Sequence, residues 1–346
     1  MTRREPRVSV GLPVYNGELF LRAAIESLLA QTHENFELII SDNASSDATA
    51  DICRGYATRD RRIQYHRQDE NRGAAWNFNY TFHQSRGTYF KWAASDDICA
   101  PTYLGRCVEL LDTRADVVWC HSRCTHITPD GQPIIGPGLS DVSYIAPTPV
   151  EDAPNATREP ITRASTRASE RLRAVVLSTS NMDVFGLVRR SAMKSTGLQR
   201  PYYGADKVFV AELALIGPYA ELPETLFFNR VHAGASGALA TVKQQQHWIA
   251  PGSSRRFDTT RAHLFKSYLR AVMHAELSPL ERIRCLQVLA QYLFQVNKWG
   301  RVIARTLAGR GTGGGYLDHL QQIETKRKST DVAHDAETYP AARSAN

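Results

Sequence analysis

The sequence contains no run of about 18 uninterrupted apolar residues, so no membrane-spanning helix is expected. Its opening segment, MTRREPRVSVGLPVYNG, carries charge but no apolar stretch long enough for a signal peptide. The six cysteines, at 53, 99, 107, 120, 124 and 285, lack the spacing of a disulfide framework, which points to free thiols in a reducing cytoplasm. There is no internal repeat and no recognisable nucleic-acid module, so a nucleic-acid partner is not expected. What is present is ordinary for a globular chain: 42% hydrophobic and 22% charged residues, enough to bury a normal core. The formal net charge of +7, with a pI near 9.1, suits anionic partners such as nucleotide phosphates or an anionic membrane surface.

Apolar runs alternate with helical patterns through the first third. VSVGL at 8–12 reads as a buried strand closed by Pro13, and 18–30 as a helix with Leu21, Ala24, Ile25, Leu28 and Leu29 on one face. Strands are expected at 36–41, 62–66, 88–94 and 116–121, and helices at 48–58, 74–84 and 101–113, with Ser46 or Asp47 as the cap at 48. Alternation of this kind predicts an α/β fold with a mostly parallel sheet flanked by helices. Thr128-Pro129-Asp130-Gly131 is a turn signal. Residues 136–165 read as a long surface loop, a candidate lid. Further on, a helix is expected at 168–178, a strand at 183–188, a helix at 204–216 and one or two short strands at 219–231. From 257 to about 308 the pattern is helical. The polar tail 311–346 reads as disordered.

In parallel sheets, ligands sit beyond the carboxyl ends of the strands. The polar residues needing an explanation fall there: Asn16 after the first strand, Asp42 after the second, Asp96 and Asp97 after the fourth. Two adjacent carboxylates at a strand end fit a hard divalent cation, which typically takes one or two carboxylates plus substrate phosphates. The plainer alternatives are a helix cap before Pro101 for this pair and a turn cap for Asp42.

Three segments, in order, resemble the family 2 glycosyltransferases of the GT-A fold: VSVGLPVYNGELFLRAAIESLLAQTHENFELIISDNASSDAT, ENRGAAWNFN and FKWAASDDI. A weaker likeness extends to about residue 235. The resemblance implies a catalytic domain over 1–235, with a donor half at 1–127 and an acceptor half at 128–235, then a helical C-terminal region at 236–310. It places Pro13 and Tyr15 against a nucleotide base, Asp42 on a base N–H, Arg72 near the base or diphosphate, Asp96 on the ribose and Asp97 on the metal, Mn2+ or Mg2+. Where the family often has Asp-x-Asp, this chain has Ser95 first. In Tyr203-Gly204-Ala205-Asp206-Lys207, Asp206 takes the place of the family's catalytic base, without the usual acidic neighbour. Arg230 and His232 match an Arg-x-His segment and would serve the diphosphate and the metal. The implied reaction is inverting transfer of a sugar, from a UDP-sugar foremost, onto a hydroxyl of a cell-envelope polysaccharide or glycolipid. Competing readings are a non-catalytic nucleotide-sugar binder and a sugar-phosphate nucleotidyltransferase, whose Gly-rich, Arg-containing first loop is absent here.

Other signals read as structural. Cys120, His121, Cys124 and His126 fall in a strand with no second cluster to complete a zinc site. Gly309–Gly314 formally matches G-x-G-x-x-G but follows no strand. Asn155-Ala156-Thr157 is a glycosylation sequon by pattern only. Within 281–310, Trp299, Val302, Ile303 and Leu307 would share one helical face and Lys298, Arg301 and Arg305 another, a pattern suited either to peripheral contact with the inner face of the plasma membrane or to packing on the catalytic domain.

Overall fold

In a computed structural model, the described residues are 5–134, 163–177, 182–239, 241–251, 260–295 and 300. The first half runs β1 (Val8–Val14), α1 (Leu21–Leu29), β2 (Phe36–Asp42), α2 (Thr49–Ala57), β3 (Ile63–Arg67), α3 (Ala74–His83), β4 (Tyr89–Trp92), β5 (Ile98–Cys99) and α4 (Tyr103–Thr113). Every residue of β1 and β2 is buried, because helices cover both faces of the parallel strands. The β1–β2 register pairs Val8 with Phe36 and Val14 with Asp42, so the two strands end level and their following loops lie side by side. β4 pairs with β1 in parallel on the other side.

The second half contains β6 (Trp119–Ile127), α5 (Ala168–Val176), β7 (Leu187–Arg189), α6 (Arg190–Lys194), α7 (Ala205–Ile216), β8 (Tyr219–Arg230), α8 (Val242–Ile249), α9 (Thr260–His274) and α10 (Pro279–Leu293). The eight strands form one sheet in the order β3-β2-β1-β4-β7-β6-β8-β5. Pairings are parallel from β3 through β4 and between β6 and β8; β7 and β5 run antiparallel to their neighbours. The expected α/β architecture with a helical C-terminal region is present. Leu264, Tyr268 and Val272 of α9 and Cys285, Leu289 and Tyr292 of α10 join the same buried cluster as the sheet. Cys120 and Cys124 are buried on β6, and all six cysteines are free.

Three expectations need correction. The strand expected at 183–188 begins as a 3-10 turn, Met182–Phe185, and only Leu187–Arg189 pairs. The cause is local: Asp183 is fully buried against Arg163 at 2.6 Å, and its carbonyl accepts the Gly186 N–H at 3.0 Å, which closes a turn. Residues 219–230 form one continuous strand rather than short ones, with irregular pairing to β6 around Arg123. Helix α8 was not expected. It is started by a capping box, in which Thr241 accepts the Gln244 N–H and the Gln244 side chain accepts the Thr241 N–H. At α2 the boundary residue is Ala48; Asp47, one position earlier, accepts the Thr49 N–H at 3.0 Å.

Several expectations fall outside the described residues: the 136–165 loop apart from 163–165, the Asn155 sequon, the Gly309–Gly314 motif, the tail 311–346, and the basic helix from 296 onward apart from Gly300.

Candidate active site

The carboxyl ends of β1, β2 and β4 open into a cleft of about 1130 Å³. Its floor begins at Pro13, Val14 and Tyr15. Tyr15 is 47% exposed. The turn that follows is stitched to the loop after β2: Asn16 N–H donates to Ser45 Oγ and Gly17 N–H to Thr49 Oγ1, both at 2.9 Å. Asn16 has φ of 51°, a left-handed conformation that asparagine tolerates. The Asn16 side chain accepts the Ser46 N–H at 2.9 Å, which holds the turn in place.

The end of β2 differs from expectation. Asp42 is fully buried and does not line the cleft. One carboxylate oxygen accepts the Ser45 N–H at 2.8 Å; the other accepts the Tyr65 hydroxyl at 2.8 Å, with Arg67 Nε at 3.5 Å. The turn-capping alternative therefore describes Asp42, and no free acceptor faces a base. Its neighbour Asn43 borders the cleft instead. Asn43 accepts the Arg72 N–H at 3.1 Å and donates to Asn71 Oδ1 at 2.8 Å, which sets the 71–73 loop. The Arg72 guanidinium lies over the Trp76 ring at 4.7 Å and beside Glu70 at 3.4 Å, outside the cleft lining.

The acidic pair after β4 divides its roles. Asp97 is 6% exposed, and one of its oxygens accepts both Asn229 Nδ2 at 3.0 Å and the Arg230 N–H at 2.9 Å. It leads into β5, whose Ile98 pairs with Phe228 of β8, so Asp97 fastens two strands together. Burial, with the Asp96 charge adding to it, pushes the Asp97 carboxyl well above the usual carboxylate range. Asp97 is not among the residues that line the cleft. Asp96 does line it, and its Oδ2 lies 2.9 Å from His232 Nε2.

Arg230 is also spent on structure. Its guanidinium donates to the carbonyls of Pro129 at 2.7 Å, Asp96 at 2.8 Å and Thr128 at 3.1 Å, and lies 4.9 Å over the Phe20 ring. Phe20 in turn packs on His232, ring centroids 4.6 Å apart. Arg230 therefore positions Asp96 and His232 rather than meeting phosphate from the cleft.

Asp206 lies on the first turn of α7, where the helix dipole favours a carboxylate, and lines the same cleft as Asp96 and His232. Gly204, with φ of 82°, makes the turn that sets this helix start. The opposite wall comes from α8, through Gln244, His247 and Trp248, spaced to share one helical face. The sequence reading missed these residues and the Asn43–Asn71 pair. The Thr241-x-x-Gln244 capping box was the available signal for α8.

The site is to be judged against a divalent cation. Among the described residues no group of three His, Cys, Asp or Glu side chains is arranged to hold a metal. Asp96 and His232 converge, and their side chains are 26% and 15% exposed to the cleft. One carboxylate and one imidazole suit Mn2+ or Mg2+ when phosphate oxygens and water complete the shell. The residues present therefore fit such an ion as a two-ligand site.

Residues 9–131 match the family model described as glycosyl transferase family 2. A putative teichuronic acid biosynthesis glycosyltransferase of Bacillus subtilis is 38% identical over 97 residues, 28% of this chain and 38% of that protein. The chain spans between 17% and 36% of the length of the curated relatives it matches first. Among solved structures, S. aureus TarS 1–349 in complex with UDP aligns over 83% of this chain and 70% of that one, at 16% identity and a TM-score of 0.54. The mannosyltransferase PcManGT from Pyrobaculum calidifontis, in complex with GDP-Man and Mn2+, aligns over 94% and 84%, at 16% identity and a TM-score of 0.52. The fold is thus the GT-A type expected, and residues 9–131 carry the likeness to glycosyl transferase family 2.

Proposed function

We propose that the cleft transfers a sugar from a nucleoside diphosphate donor to an acceptor hydroxyl, with inversion at the anomeric carbon. The observation that carries this reading is the convergence of Asp96, His232 and Asp206 on one cleft floored by the Pro13–Tyr15 loop. A bound divalent cation would supply neutralisation of the charge developing on the departing diphosphate. Asp96 and His232 would hold it, and Arg230 keeps both in register through the Asp96 carbonyl and the Phe20 ring. Tyr15 and Pro13 offer a flat surface to the base, and the Asn43–Asn71 pair takes the polar role expected of Asp42. Asp206 removes the proton of the attacking hydroxyl as the bond from the anomeric carbon to the diphosphate oxygen breaks. A single base and direct displacement give inversion.

Tyr203, His247 and Trp248 line the cleft outside the matched family region, and we assign them to the acceptor side. A UDP-sugar is the donor favoured, as TarS is described with UDP. A cell-envelope glycan or glycolipid is the acceptor class favoured, given the teichuronic acid relative. We assign the reaction to the cytoplasm, at the inner face of the membrane. Among the described residues no helix is long and apolar enough to cross a membrane.

The reading is tested by a thermal-shift panel of UDP-, dTDP- and GDP-sugars, with and without Mn2+ or Mg2+. A donor that binds the native chain raises its melting temperature by mass action, and more so with the cation. A flat response across the whole panel removes the proposal.

A further inference from the structure

The cleft carries few charges. Arg72 lies outside its lining, and the Arg230 guanidinium is taken by backbone carbonyls. Among the described residues that leaves Lys207 as the only lysine or arginine lining the cleft. Lys207 follows Asp206 on the first turn of α7, where its backbone N–H donates to the Gly204 carbonyl at 3.2 Å. Helical side chains lean back over the preceding turn, here toward Gly204, which also lines the cleft. The Lys207 side chain is half-buried, and its ammonium makes no hydrogen bond or ion pair among the described residues. A cation that loses part of its hydration without gaining a partner is suited to take up an anion.

A second unpaired group comes from the same segment. Gln199 is 8% exposed and lines the cleft. Its backbone N–H and carbonyl are both taken by the Asn79 side chain, at 2.9 and 2.8 Å. Its own side-chain amide has no hydrogen-bond partner among the described residues, yet is not sealed from solvent. Residues 199–207 thus bring an unpaired ammonium and an unpaired amide to the wall that carries Asp206.

We propose that this wall selects an anionic acceptor, a sugar carboxylate or sugar phosphate whose charge pairs with Lys207 while its hydroxyl meets Asp206. The inference rests on the transfer reading above. In a direct displacement the attacking and leaving oxygens lie on opposite sides of the anomeric carbon. Asp206 serves the attacking oxygen, and consecutive Cα atoms are only about 3.8 Å apart, so Lys207 belongs to the acceptor side and not to the diphosphate. An anion brought to Asp206 alone would be repelled; Lys207 offsets that carboxylate. The Gln199 amide N–H groups suit the same acceptor oxygens.

The test is titration of matched probes into the full chain saturated with UDP and Mn2+, followed by ligand-observed NMR. The pairs are methyl glucuronide against methyl glucoside and glucose phosphate against glucose, which distinguish a carboxylate from a phosphate. The charged member of at least one pair should bind about tenfold more tightly than its neutral partner. Lys207→Gln should remove that preference, Lys207→Arg should keep it, and both should bind UDP like the parent. A parent that binds UDP but prefers neither charged probe overturns this inference alone, as does a preference that survives Lys207→Gln. Loss of UDP affinity in Lys207→Gln would move Lys207 to the diphosphate and overturn it too. A parent that does not bind UDP removes the transfer reading itself, and this inference with it.

Discussion

Two strand ends, that of β2 and the segment after β4, make the same choice between adjacent polar residues. At the first, Asp42 turns into the protein and caps its own loop, while Asn43 borders the cleft. At the second, Asp97 is buried in the β5–β8 junction, while Asp96 meets His232 in the cleft. In both places a carboxylate expected from sequence to meet a ligand is buried and bonded within the protein, and a neighbouring polar residue borders the cleft; of the two carboxylates expected at the second, Asp96 is the one that does so. Consecutive residues of extended chain present their side chains to opposite sides, so a shift of one position exchanges core for cleft.

The largest effect that sharpens this comparison comes from Asp206, the carboxylate whose side the helix start settles. Asp206→Asn should lower kcat by about 10²–10⁴-fold while donor binding persists. Initial rates with a turnover-competent donor, alongside calorimetric titration of UDP, separate the two. An unchanged rate would break the base assignment.

Next are the buried partners. Asp97→Ala strands the Arg230 and Asn229 donors, and Asp42→Ala strands the Ser45 N–H and the Tyr65 hydroxyl. Each should cost about 1–3 kcal/mol in urea unfolding. If either variant unfolds like the parent but loses nucleotide binding, the division into structural and functional neighbours is wrong at that strand end.

An effect of similar size tests how dry the β4–β6–β8 interior is. Burial, reinforced by the Lys91 charge, pulls the fully buried His121 down to about 3, against an ordinary value of 6.5. The unfolded chain takes up this proton below about 6.5, whereas the folded chain resists until about 3. The stability from neutral His121 is thus intact above 6.5 and is lost on acidification toward 3, by roughly 1 kcal/mol per pH unit. Urea midpoints from pH 7 to pH 4 should fall less steeply in His121→Asn. Parallel slopes would mean that His121 is solvated.

Much of the fold was legible because β1 and β2 are uninterrupted buried apolar runs closed by polar residues. The cleft's location was legible for the same reason, since ligand sites follow strand ends. What stayed hidden depends on geometry between distant residues. β5 is only two residues long and forms only by pairing with β8, and that pairing decides which of Asp96 and Asp97 is buried. Arg230 reads as a phosphate ligand until the carbonyls of Thr128 and Pro129 surround it. α8 is short and mostly polar, and its cap is what starts it.

The most direct measurement is calorimetric titration of UDP into the parent chain, Asp96→Asn and Asp97→Asn, each with and without Mn2+. The parent should bind UDP more tightly with Mn2+; Asp97→Asn should keep that gain and Asp96→Asn should lose it. A gain kept by Asp96→Asn and lost by Asp97→Asn, or no UDP binding by the parent, would contradict the site described.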